Sequence, residues 1–156
     1  MDRLTFANPV FAAYAGAAAV MVLKTVLMAW LTVWKMMQVK GGYRAPEDAR
    51  ATPLNPDPRP GQTAPDERVE RFRRIHQNDL ENVPMFLAAG FLFVMTDPAV
   101  WVAQALFWGY AASRLLHFWA YATAKSHDLR ATFWTVGVVM VMGMAVHVLG
   151  RATGVW

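Results

Sequence analysis

The sequence contains no cysteine. Disulfides, thiolate metal sites and a cysteine nucleophile are thereby excluded, so any thiol chemistry must use a thiol that a substrate brings. Charge is scarce as well. Of the 156 residues 17% are charged, 56% hydrophobic and 13% aromatic, whereas soluble domains run at ~25% charged and ~45–50% apolar. Mean hydropathy is nonetheless only +0.23, which means that the polar residues are concentrated rather than spread. Internal repeats and a Gly/Pro-broken helix pair are also missing, which argues against a small channel or transporter, although Pro84 is a candidate kink. Acidic residues are outnumbered, 11 against 15 Lys and Arg, for a net charge of +4 and a pI near 9.8. One domain over residues 1–156 is the natural reading at this length.

What the chain does have is long apolar runs. The first covers residues 10–37, interrupted by Lys24 and Lys35, and exceeds the ~20 residues that cross a hydrocarbon core. Its Ala-rich start imitates a signal peptide, but only Arg3 precedes it and the run continues past any cleavage site; it reads as a retained transmembrane helix. Residues 39–65 are different in kind. Gly41, Gly42 and the prolines at 46, 53, 56, 58, 60 and 65 predict an extended hydrophilic connector with no core of its own. Helicity resumes near Thr63 or Asp66, where Thr63-Ala-Pro-Asp66 fits a capping box. Three further spans follow at 74–95, 99–121 and 130–149. Asp97 and Asp128 are the expected caps of the last two.

Basic residues set the topology. Lys40, Arg44, Arg50, Arg59, Arg68, Arg71, Arg73, Arg74 and Lys125 gather on one side, with Arg3 and Arg151 on the other. The positive-inside rule then makes the connector cytoplasmic and leaves both termini on the non-cytoplasmic side. Basicity is thus topological, and no folded basic module points to nucleic acid. The expected fold is all-α, an integral membrane four-helix bundle.

Polar residues inside the spans are costly and should face protein or a wet cavity. At ~100° per residue, Arg71, Arg74, Asn78 and Glu81 share one stripe of the second helix, while His76 and Asp79 form another. Arg114, His117 and Tyr121 repeat the pattern on the third helix, and Arg130 enters the first turn of the fourth. These clusters converge at one depth. The implied pocket suits a small polyanion with one cationic end: arginine forks match carboxylates, Glu81 suits an ammonium, and Asn78 and Tyr121 add neutral hydrogen bonds. A guanidinium and a helix N-terminus beside a thiol favour the thiolate, which points to Arg130. Plainer readings apply to several residues. Asp79 and Arg114 read as a structural ion pair, Arg68 and Arg73 as membrane-surface markers, and His117 and Tyr121 as equally able to be packing or belt residues. Lys24 reads as either a bundle-facing partner for a carboxylate or a lipid-headgroup snorkeler, and its depth favours the former. His127 and His147 are not assigned function, Trp101, Trp108, Trp119 and Trp134 read as packing or anchoring residues, and no metal site is expected.

The segment Glu70-Arg71-Phe72-Arg73-Arg74-Ile75-His76-Gln77-Asn78-Asp79-Leu80-Glu81, followed by Pro84 and Phe86, resembles the signature of the membrane-associated proteins in eicosanoid and glutathione metabolism, the MAPEG superfamily. Pro46-Glu47-Asp48, the Arg114/His117/Tyr121 spacing and Arg130 match further motifs of that superfamily, and the type-one microsomal glutathione transferase branch is the most similar. The resemblance implies a homotrimer with glutathione as co-substrate, bound between neighbours near the cytoplasmic face. It implies that Arg74, Asn78, Glu81, His117 and Tyr121 hold the tripeptide, with Arg71 beside them, and that Arg130 stabilises the thiolate as the catalytic residue. Departures also count. Ala131 and Trp134 replace the serine and tyrosine of the prostaglandin synthase branch, and Ala49 replaces a cysteine of the animal transferases, so activation by thiol modification is not expected. The expected activity is attack of glutathione thiolate on a hydrophobic electrophile from the bilayer, with reduction of lipid hydroperoxides as a variant. A prostaglandin-type isomerase and a non-catalytic lipid-presenting scaffold are the alternatives. The membrane is an inner membrane if the source is bacterial and of endoplasmic-reticulum type if it is eukaryotic.

Overall fold

The computed structural model describes residues 3–155. Four helices account for most of them: α1 (Pro9–Val39), α2 (Glu67–Val94), α3 (Val100–Ala122) and α4 (His127–Thr153). Among the described residues there is no strand, only an isolated bridge between Thr52 and Asn55.

The helix ends follow from local chemistry. Asn8 caps α1, its side chain accepting from the Val10 N–H at 2.9 Å, and Pro9 occupies the first helical position, where no N–H is needed. Lys40 ends α1 in the left-handed conformation, at φ 49°. α2 is capped by Asp66, whose carboxylate accepts from the Arg68 N–H at 2.9 Å. Thr63 therefore takes no part in a capping box, and Pro65 precedes the helix. The other two expected caps also differ. Asp97 adopts φ 56° in the α2–α3 reversal, so α3 starts after Ala99. Ser126 rather than Asp128 caps α4, and Asp128 lies inside the first turn.

α1 buries Val10, Ala13, Ala17, Met21, Lys24, Met28 and Thr32, a three- and four-residue spacing that forms one stripe against α2 and α3. α2 and α3 form the central pair, because each contacts the other and both flanking helices, whereas α1 and α4 do not meet. The core away from the connector is aromatic. Phe86 stacks on Tyr110 with centroids 4.1 Å apart, and Tyr14 and Phe93 meet Phe107 edge-on.

α1 and α4 are each long and apolar enough to cross a membrane. α2 and α3 fall outside that measure, and they are the helices that carry Arg74, Asp79, Arg114 and His117. Large apolar side chains remain exposed around the bundle, among them Leu27, Trp30 and Trp34 on α1 and Val139 and Met142 on α4.

The connector is more ordered than its composition suggests. Asn55 and Gln62 are buried and exchange amide hydrogen bonds of 2.9 and 3.1 Å. Gln62 also donates to the Lys40 carbonyl at 3.1 Å, and its own carbonyl accepts from the Tyr43 N–H at 2.9 Å. The loop thus has a small polar core, which proline content alone does not reveal. Arg73 fastens it to α2, donating to the Gly42 carbonyl at 2.6 Å and pairing with Glu70. Arg73 is a strap for the connector rather than a surface marker.

Candidate functional site

At the connector end of the bundle two clefts adjoin. The inner one, about 420 Å³, is lined by Asn78, His117, Tyr121, His127, Arg130, Ala131, Trp134 and Thr135. The outer one, about 380 Å³, is lined by Glu67, Arg71, Arg74, Tyr121, Ala124, Lys125 and Arg130. Tyr121 and Arg130 are common to both and form the wall between them.

Helical periodicity brings these groups together. His117 and Tyr121 lie one turn apart on α3, with rings 5.6 Å apart and edge-on. Arg130, in the first turn of α4, sits with its guanidinium carbon 4.3 Å from the Tyr121 ring centroid, a cation–π contact. That contact holds the guanidinium across the mouth of the inner cleft, and its Nε has no partner among the described residues. Arg71 donates to the Tyr121 carbonyl at 3.3 Å. Arg74 is exposed and paired with Glu67.

Asn78 is aimed by its neighbours. Its Oδ1 accepts from Arg114 Nη2 at 2.6 Å, which leaves the amide N–H groups as its contribution to the cleft. Arg114 is 1% exposed and also donates to Asp79 Oδ1 at 2.9 Å, while the other oxygen of that fully buried carboxylate meets Lys24. The expected Asp79–Arg114 pair is therefore present as part of a triad, and Lys24 is the bundle-facing partner that its depth implied.

Six of the seven expected ligand-site residues line the clefts: Arg71, Arg74, Asn78, His117, Tyr121 and Arg130. Glu81 does not. It is exposed on the outer side of α2 and accepts a hydrogen bond of 3.2 Å from Gln77. The stripe drifts around the helix, because steps of three and seven residues each fall short of whole turns. His76 is half-buried and lines neither cleft. Glu67, Lys125, His127, Trp134 and Thr135 were not singled out as site residues. The i, i+7 relation of Glu67 to Arg74 was a usable signal for the first of them; nothing in the sequence brought the others forward.

A four-helix chain with two adjoining clefts, one mostly neutral and one cationic, that share a tyrosine and an arginine defines a class, and the chain belongs to it: the MAPEG family model matches residues 14–150. Among individual relatives, microsomal glutathione S-transferase 1 of Homo sapiens is 33% identical over 142 residues, 91% of this chain and 90% of its own. The Sus scrofa protein of the same name is 31% identical over the same shares. Prostaglandin E synthase of Homo sapiens is 28% identical over 149 residues, 96% of this chain and 94% of its own.

Proposed function

We propose that this chain is a membrane-embedded glutathione transferase that binds glutathione in the paired clefts and presents its thiolate to a lipophilic electrophile. The observation that carries the reading is the Tyr121–Arg130 wall. It joins a cleft of neutral donors to a cleft of cations in a chain that has no thiol of its own. Arg71 and Arg74 would take carboxylates through their forks. Asn78 and His117 would bind the peptide groups of the ligand. Arg130 would lower the thiol pKa by its charge, helped by the N-terminus of α4. The thiol proton leaves to water, the sulfur forms a bond to the electrophilic carbon, and the displaced group departs with its electron pair.

The bilayer supplies the acceptor in this reading. Two helices long and apolar enough to span, and the exposed apolar side chains around the bundle, support a membrane-embedded bundle, and the basic residues gathered at the connector end favour a cytoplasmic connector. A homotrimer is what the family resemblance implies. Glutathione-dependent peroxide reduction would use the same thiolate. An isomerase of the prostaglandin type is the second reading, favoured by the similarity to prostaglandin E synthase. Ala131 and Trp134 line the inner cleft and supply no hydroxyl there, so a step that needs that serine has no donor at this position.

The test is thiolate absorbance in the near ultraviolet when glutathione is added to the detergent-purified protein at neutral pH. Wild type should develop the signal. Arg130→Ala should bind glutathione within a few-fold of wild type by calorimetry and lose most of the thiolate, up to about tenfold for each unit by which the thiol pKa rises. A variant that loses binding but ionises normally when saturated would refute the role given to Arg130. If wild type neither binds glutathione nor gives a signal, the lipid-presenting scaffold takes first place.

A further inference from the structure

The outer cleft holds four cationic side chains, Arg71, Arg74, Lys125 and Arg130, and one carboxylate, Glu67. Among the described residues Arg74 alone of the four is ion-paired, and its partner is that carboxylate. The contact is two-pronged: Nη2 of Arg74 meets one oxygen of Glu67 and Nη1 reaches the other at 3.4 Å. This is the arrangement in which an arginine takes the carboxylate of a ligand.

Helix geometry makes the contact. Glu67 is the first residue of α2 and Arg74 follows seven residues later, two turns on and nearly on the same face. Helical side chains lean toward the N-terminus, so the long arginine folds back over Arg71 toward Glu67 and into the mouth of the cleft.

We propose that Glu67 is an internal carboxylate competitor, occupying Arg74 until the carboxylate of an anionic ligand displaces it. The inference rests on the reading of this cleft as a glutathione site. It adds a residue that sets affinity, raises the concentration at which the site fills, and discriminates against anions too weakly charged to displace a carboxylate. The pair is solvent-exposed, its side chains 43% and 68% accessible, so displacement is a modest cost. Exposed ion pairs correspond to about a two- to fivefold change in binding.

The experiment is calorimetric titration of glutathione into the full-length protein in detergent, for wild type, Glu67→Gln, Arg74→Gln and the double variant. Glu67→Gln should bind about two- to fivefold more tightly than wild type. Adding Glu67→Gln to Arg74→Gln should bring no such gain, because the occupied fork is already gone. A melting temperature for each variant separates this from a structural role. Loss of a carboxylate from the first turn of a helix lowers stability slightly, and lower stability does not of itself tighten a ligand. Equal or weaker binding by Glu67→Gln overturns the proposal. So does a gain of the same size in the Arg74→Gln background, which would report only the more positive field of the cleft. Absence of glutathione binding in wild type is a distinct result: it removes the glutathione reading, and the competitor falls with it.

Discussion

The buried triad Lys24–Asp79–Arg114 carries two cations against one carboxylate, all within a core where their side chains are 7%, 0% and 1% exposed. Asp79 is the hinge of that arrangement, since both cations are paired through it. Asp79→Asn leaves two buried cations without an anion and should cost about 3–5 kcal/mol. Lys24→Met removes the surplus cation, keeps the 2.9 Å Arg114–Asp79 bridge, and should stay within about 1 kcal/mol of wild type. Thermal unfolding of the two variants in the same detergent checks this asymmetry; equal losses would mean that Lys24 is as necessary to the core as Asp79. At this scale the sequence was informative where side chains share a helix face. His117 with Tyr121 was legible from spacing, the inward Lys24 from its depth in the span, and Asp79–Arg114 from the need of buried charges for a partner. Glu67 was only partly so: its i, i+7 relation to Arg74 is visible, but the contact depends on which way Arg74 folds, and residue spacing does not fix the rotamer of a long side chain.

Helix ends show where local pattern and actual geometry part. Asp97 and Asp128 were expected to cap and do not, whereas Asp66, read as the last residue of a capping box begun by Thr63, is itself the cap of α2, since a cap needs extended backbone at the right residue and not merely an acceptor nearby. Asp97 is held at φ 56° by the reversal, and the Asp128 position is pre-empted by Ser126, whose hydroxyl accepts from the Leu129 N–H. Asp66 also holds Arg68, through bonds of 3.0 and 2.7 Å from its guanidinium. Chiefly because of that bonding, the Asp66 carboxyl is held below its ordinary value. A carboxyl lowered in the folded state contributes its full stability above the pKa of the unfolded chain. The contribution is lost as pH falls through the lowered folded value. Asp66→Asn keeps a capping oxygen but cannot titrate. Its stability relative to wild type should therefore improve as pH falls below the carboxylate range, by no more than about 1 kcal/mol. Melting curves of both proteins from neutral to acidic pH read the difference, and a constant offset across that range would remove Asp66 from the pH response. The connector is the element least legible in advance. Six prolines disclose where regular structure stops, whereas the Asn55–Gln62 amide pair and the Arg73 strap depend on contacts between segments whose spacing has no period.

For the whole molecule, the arrangement of helices explains the division between apolar and polar sequence. α2 and α3, which carry the buried Asp79 and Arg114, sit at the centre, and the two helices long and apolar enough to span flank them without meeting each other. A single chain, however, leaves Glu81 exposed, outside the lining of the Arg130 cleft that it was expected to complete. A trimer with glutathione between neighbours resolves this if Glu81 of one subunit serves the cleft of the next, as closed cyclic symmetry allows. Complementation decides the matter. Arg130→Ala should form little thiolate, and Glu81→Gln should bind glutathione weakly at subsaturating concentration. In trimers assembled from an equal mixture of the two, a shared site is intact whenever a Glu81→Gln subunit supplies the cleft and an Arg130→Ala subunit supplies the glutamate. Random assembly makes about one quarter of sites whole, so co-expressed variants should recover about a quarter of the wild-type thiolate signal. If each site lies within one chain, every cleft in the mixture carries one defect or the other. The signal then stays at the average of the two variants, and Glu81 would belong to a surface that faces lipid or water.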